Sequence, residues 1–376
     1  MNKRISIISV AVVLALIASI WLFGRSDSRE RHVNIAANLP MSGPLATYGV
    51  AVREGAVLAL EHLRSQGATS DLSIDWQDNA SDPRMAVSIL QKQLLRNPSI
   101  YISGVKPQTM AIKDEVSGLG IPHFVWIFDV SINQGTENNF RTWVSYKLEP
   151  QVFFDYATAR NAHRVAITYV QLPHTIEAYE GVLVPSLKQN GIEVLVLPFD
   201  FGRTDFRDIA VRMNAFQPDL FILNGFQGDL VGLVRSLRPL GAINDGNTIA
   251  TYDFLDAANI LGSDEKEGIR VVAPLFETRP TSPRIAEFRE AFIGKFRRQP
   301  LYTHAFAYDM LMAINEARAA LGENPTSAEW MQAIRSVDVD GVTGPIRFDD
   351  QGDLITPLEV GVYRDGKLIP DLATKE

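Results

Sequence analysis

Short β-rich runs alternate with amphipathic stretches in two successive series, and this alternation limits the possible folds more than any other feature of the chain. Val33 to Leu39 reads as a strand. A helix follows from about Val50 to Arg64, in which Val52, Ala56, Ala59, Leu60 and Leu63 recur at helical spacing. Leu72 to Trp76, Ile100 to Ser103 and His123 to Ile127 continue as strands, and Asp82-Pro83 reads as a helix cap with proline in the first turn. The second series begins after Glu149-Pro150, with strands at Val165 to Val170, Glu193 to Leu197, Leu220 to Leu223 and Asn247 to Tyr252. Helical patterns near 175–190, 204–216 and 227–239 separate them. Strands alternating with helices of about ten residues or more call for parallel sheets with right-handed crossovers, so two series predict two α/β lobes. Pro283 to Val337 reads as helical, and Ile346 to Phe348 and Leu358 to Tyr363 as closing strands. Ligands of open parallel sheets collect at the carboxyl ends of strands, so the cleft between the lobes is the expected site.

The first 32 residues concern location. Lys3 and Arg4 precede nineteen uncharged residues, Ile5 to Phe23, and then Arg25, the pattern of an export signal. As a helix, such a run spans about 28 Å, close to the hydrocarbon thickness of a bilayer. It ends Ser19-Ile20-Trp21-Leu22-Phe23-Gly24, where Trp21 and Phe23 read as an interfacial anchor rather than a peptidase site, with a cleaved signal as the other reading. Arg25 to His32 then forms a tether, and the rest of the chain lies outside the inner membrane, in the periplasm or its equivalent.

Composition narrows the chemistry. Forty-four acidic against thirty-six basic residues give a net charge of −8, which argues against a nucleic-acid surface. The absence of cysteine excludes disulfides, thiolate metal sites and thiol nucleophiles. The glycine-rich phosphate motifs, the G-x-S-x-G nucleophile elbow and the H-E-x-x-H zinc motif are all missing, and the six histidines never pair at metal-ligand spacing. Asp349 to Asp353 reads as a turn, because Val360 stands where a calcium loop needs glutamate. No enzyme, metal or cofactor is expected.

Leu39-Pro40-Met41-Ser42-Gly43-Pro44-Leu45-Ala46-Thr47-Tyr48-Gly49, followed by Gly55-Ala56 and Ala59, closely resembles the opening of the leucine/isoleucine/valine-binding proteins. These are type I periplasmic solute-binding proteins that feed ABC importers. The resemblance runs on through Asp78, Pro83, Gly104, Gly120-Ile121-Pro122, Asn224-Gly225-Phe226, Glu267-Gly268, Tyr302-Thr303, Ala307-Tyr308-Asp309 and Gly344 to Asp349. It implies two doubly wound α/β lobes joined by three crossovers, here 33–148 plus 277–338 and 149–276 plus 339–376, after an N-terminal apolar helix. It further implies capture of an amino acid or related solute by hinge closure, and delivery to an ABC permease in the inner membrane. A membrane-tethered sensor domain of the same fold, signalling through a partner, is the alternative.

The resemblance also implies site residues. Ser42 sits in a tight turn that exposes backbone N–H groups, and Tyr48 matches a pocket tyrosine. Phe226 falls where an aromatic is common, and Asp253 falls at the position that binds the ligand ammonium; it also reads as a cap for the helix beginning near Leu255. Three places depart from the family. Gln108 and Thr109 stand in for paired serines that hold the ligand carboxylate, with Lys106 as an added cation or a solvated lysine. Trp126 and Phe128 occupy a turn usually built of small residues, where a one-residue register decides whether each narrows the cleft or fills core. His174-Thr175 replaces a tyrosine-glycine pair, making Thr175 the candidate there.

Overall fold

The computed structural model describes residues 33–67 and 71–371; the apolar run and tether of residues 1–32 lie outside them. Among the described residues no helix is long and apolar enough to cross a membrane.

The first lobe is built on a five-stranded sheet ordered β2-β1-β3-β4-β5. Its strands are β1 (Val33–Leu39), β2 (Leu72–Asp78), β3 (Ile100–Gly104), β4 (His123–Trp126) and β5 (Asn139–Arg141), every pairing parallel. Interior strand β1 is covered on both faces, so Ile35, Ala36, Ala37 and Leu39 are all buried, and the buried Asn38 is satisfied by the Ala86 carbonyl and the Tyr101 hydroxyl. Edge strand β2 is half-buried from Ser73 onward. The helix Ala46–Ser65 turns Val52, Ala56, Ala59 and Leu63 inward, and a Cβ on Gly55 would meet the His304 carbonyl oxygen at 2.2 Å. Only glycine lets this helix approach Tyr302–Ala319 so closely. Asp82 caps Pro83–Leu94 by accepting from the Arg84 and Met85 N–H groups.

The second lobe is built on β6 (Arg164–Thr168), β7 (Glu193–Val196), β8 (Leu220–Leu223), β9 (Thr248–Ala250) and β10 (Arg270–Pro274), all parallel. Between them and the end of the chain lies a two-stranded hairpin, β11 (Val339–Asp340) with β12 (Pro345–Ile346). Two antiparallel strands, β13 (Leu358–Arg364) and β14 (Lys367–Pro370), complete the second sheet in the order β14-β13-β10-β9-β8-β6-β7. Residues along β6 and β8 alternate between two cores: Ala166, Phe221 and Leu223 on one face, Val165, Ile167, Leu220 and Ile222 on the other. The helical segment predicted near 175–190 winds as Pro173–Ile176, opens into a π turn over Glu177–Leu183, and closes as Val184–Gln189.

The closing segment differs from expectation. Ile346, Phe348 and Leu354 pack into the first lobe's core, with Phe348 against Phe124 and Phe140 at 6.1 and 5.2 Å. Arg141 and Asp353 form a parallel bridge that extends the β5 edge. The third crossover therefore falls between Leu354 and β13, and residues 339–354 belong with the first lobe, because their apolar side chains have their partners there.

Candidate functional site

The carboxyl ends of the parallel strands converge on a cavity of 540 Å³. Strand β3 delivers Val105 and Lys106, β4 delivers Ile127 and Phe128, β8 delivers Asn224 to Phe226, and β9 delivers Tyr252 and Asp253. Volume and position are those of a small-molecule site.

The first lobe's wall is aromatic. The Trp126 and Trp143 rings meet edge-on at 5.3 Å, and Tyr48 and Tyr302 lie 6.1 and 6.0 Å from Trp143. Strand β4 ends at Trp126, so alternation no longer governs the next residues, and Trp126, Ile127 and Phe128 all line the cavity. Arg141 fixes this wall from behind, donating through Nη1 to the Ile127 and Val144 carbonyls at 3.2 Å each. Val105, at the rim, has φ 67° and ψ 132°, a conformation that a β-branched residue seldom adopts. Lys106 is committed to Asp129, Nζ to Oδ2 2.5 Å. Burial pushes Asp129 upward, but hydrogen bonds from Lys106 and Ser131 outweigh it and hold the carboxyl below its ordinary range.

The second lobe's wall is acidic. Glu149, at the first crossover, is 3% exposed and accepts the Tyr252 N–H at 3.2 Å. Burial, then the charge of Asp253, lifts its carboxyl well above the usual range. Burial also lifts Asp253 to about 7, with Asp256 and Asp229 adding repulsion, and it lifts Asp256. No basic side chain forms an ion pair with any of these three among the described residues. Asp256 and Asp253 also raise the Tyr48 hydroxyl, after burial, so their field crosses the cleft. His174 lies 5.2 Å from the Phe128 ring and 4.9 Å from Tyr146, and burial lowers its affinity for a proton.

Of the residues expected from sequence, Tyr48, Phe128, Thr175, Phe226 and Asp253 line the cavity. Asp253 stands at the N-cap of the short helix Phe254–Ala257 without a side-chain capping bond, so its carboxylate is not occupied by the helix. The Thr175 hydroxyl is satisfied locally by the Val170 and Leu172 carbonyls. Ser42, Gln108 and Thr109 lie elsewhere. Ser42 is exposed and its N–H donates to Asp78, in the turn beside β2. Gln108 and Thr109 lie on the face of helix Lys106–Gly118 turned to the sheet, both buried, and Thr109 Oγ1 is 2.8 Å from Ser103 Oγ, itself 2.8 Å from His123 Nε2. Val105, Lys106 and Pro107, at the start of that helix, form the wall instead. Glu149, Asp256 and Trp143 were not anticipated. Glu149 had a signal, a carboxylate at the point where the second series of strands begins, but Glu149-Pro150 reads only as the boundary between the two series.

A family model described as a periplasmic binding protein matches residues 32–367. The Leu/Ile/Val-binding protein of Escherichia coli (strain K12) is 22% identical over 354 residues, covering 88% of this chain and 90% of that protein. Among solved structures, the branched-chain amino acid transporter substrate-binding protein LivJ from Streptococcus pneumoniae, in complex with isoleucine, superposes with a TM-score of 0.71 at 19% identity. That match covers 90% of this chain and 97% of the other. A solute-binding protein of an ABC transporter from R. palustris, in complex with benzoate, superposes with a TM-score of 0.71 at 17% identity, covering 90% and 95%.

Proposed function

Because the chain belongs to the periplasmic binding protein family, we propose that it captures a small solute in the cleft between its lobes and hands it to an ABC permease. Solute binding bridges the two walls and shifts the population toward a closed form, which the permease recognises. The observation that carries this reading is the 540 Å³ cavity, with Tyr48, Trp126 and Phe128 of one lobe facing Tyr179, Phe226 and Asp253 of the other. A ligand there touches both lobes at once and so has differential affinity for the closed state. We place the protein outside the cytoplasmic membrane, held to it by Ile5–Phe23. It performs no covalent chemistry. His123, the most deeply buried histidine, is held to about 3 by burial and bonds Ser103 inside the first lobe, away from any solute.

Small-angle scattering of the full-length chain, with and without amino acids, short amides and aromatic acids, tests the reading. A ligand that binds should reduce the radius of gyration; binding without contraction would remove the hinge-closure mechanism. Reconstitution with a candidate ABC permease and its ATPase then separates transport from sensing. Ligand-stimulated ATP hydrolysis is the transport outcome.

A further inference from the structure

We propose that the cleft selects an organic cation carrying no carboxylate, an amine or amidinium on an apolar body, over a zwitterionic amino acid or an organic acid. This rests on the solute-binding reading above and specifies its ligand class.

Charge makes the first argument. Glu149, Asp253 and Asp256 share one wall, and none has an ion-pair partner among the described residues. Among the described residues the one lysine or arginine on the wall, Lys106, is paired with Asp129. Under a closing lobe these acids either stay protonated or ionise against a cation that arrives with the ligand, and only the cation adds an ion pair to the closed state.

The second argument concerns where a ligand carboxylate would go. The side chains expected to receive one are spent or misplaced: Thr109 bonds Ser103, Thr175 bonds the Val170 and Leu172 carbonyls, and Gln108 is buried behind the wall. The donors Trp126 Nε1, Trp143 Nε1 and the Tyr179 hydroxyl, unpartnered among the described residues and all neutral, would face it without a cation. Pro107, on the wall in the first turn of helix Lys106–Gly118, has no N–H and removes one of the backbone donors that such a turn otherwise offers an anion. A carboxylate entering here would hold three neighbouring acids in their protonated form and find no cation to pair with among the described residues, whereas an ammonium lets them ionise.

The third argument is the aromatic wall. Tyr48, Trp126, Trp143 and Tyr302 line the same cavity as the acids, and aromatic faces attract cations most strongly where water is excluded. An ammonium is matched by ring faces and carboxylates alike, while its hydrocarbon body fills the remainder of the 540 Å³.

Two matched sets of probes test this by calorimetry on the purified full-length chain: 2-phenylethylamine, phenylalanine and 3-phenylpropionate; and 3-methylbutylamine, leucine and 4-methylpentanoate. Each set keeps the body and varies only the charged groups. The expected order is amine, then amino acid, then acid, with at least a tenfold step between amine and amino acid in one set. Glu149→Gln and Asp253→Asn should each weaken the amine at least tenfold while circular dichroism shows an intact fold. An amino acid or acid binding more tightly than its amine overturns the cation preference and leaves solute capture standing. Silence from all six probes overturns both.

Discussion

Arg141 and Asp353 stand 212 residues apart in sequence, yet Arg141 Nε lies 2.7 Å from Asp353 Oδ1 with both side chains buried. The pair ties the end of the first sheet to the segment that precedes the last crossover. The same guanidinium holds the Ile127 and Val144 carbonyls, so the aromatic wall and the crossover are braced by one group.

Breaking that brace should be expensive. Asp353→Ala leaves a fully buried guanidinium without its counter-charge, and the penalty for stranding such a charge is about 3–5 kcal/mol. Urea unfolding should show a loss of that size, and an unchanged midpoint would mean that Arg141 is satisfied by carbonyls alone.

Asp253 makes stability depend on pH in a defined direction. Its carboxyl sits near 7 in the folded chain, above its unfolded value, so the folded state holds the extra proton between about pH 4 and 7. The acid therefore reduces stability as pH rises through that window, and the loss is complete above pH 7. His123 and His304, both lowered by burial, act in the opposite sense as pH rises through about 6.5. The difference between wild type and Asp253→Asn isolates the aspartate. The variant's relative stability in urea should grow from pH 5 to 7 and then level off; a constant difference would contradict the assignment.

Val105 predicts a gain. Relief of a positive φ at a β-branched residue is worth about 1–3 kcal/mol, against roughly 0.5–1 kcal/mol of added chain entropy for glycine. Val105→Gly should stabilise the unliganded protein by about 1 kcal/mol in chemical denaturation. A net loss would show that its side-chain packing outweighs the strain.

Thr109 separates stability from binding. Thr109→Val removes the hydroxyl that meets Ser103 Oγ inside the lobe, which should lower stability by about 1–2 kcal/mol. Affinity for whatever ligand binds should stay within about twofold, since the side chain does not reach the cavity. A larger loss of affinity at unchanged stability would return Thr109 to the site.

The two series of strands were legible because their apolar runs are long and bounded: β1 and β8 begin and end where the residue pattern does. Strands β5, β10 and β14 were not, since Asn139–Arg141 is three residues with polar ends and Arg270–Pro274 closes on a proline. Ile346 and Phe348 read as strand but not to which lobe, because apolar character does not name its partner. At the site, Tyr48 and Asp253 were found through the positions that they share with a known family. Gln108 and Thr109 were misjudged because spacing from Gly104 does not give the phase of the helix that follows. Trp143, Tyr252 and Tyr302 carry no local mark distinguishing a ring on a cavity wall from a ring in a core.

The π turn at Glu177–Leu183 sets Ala178 and Tyr179 on the cavity and Glu180 beside the Tyr169 hydroxyl. Each residue of an α-helix advances the winding by about 100°, so losing one residue here would restore regular winding and swing this stretch by about that angle. The strands on either side would keep their places. The second lobe's wall is therefore adjustable by length as well as by side chain, and a lineage can change which ring meets the solute through the gain or loss of a single codon.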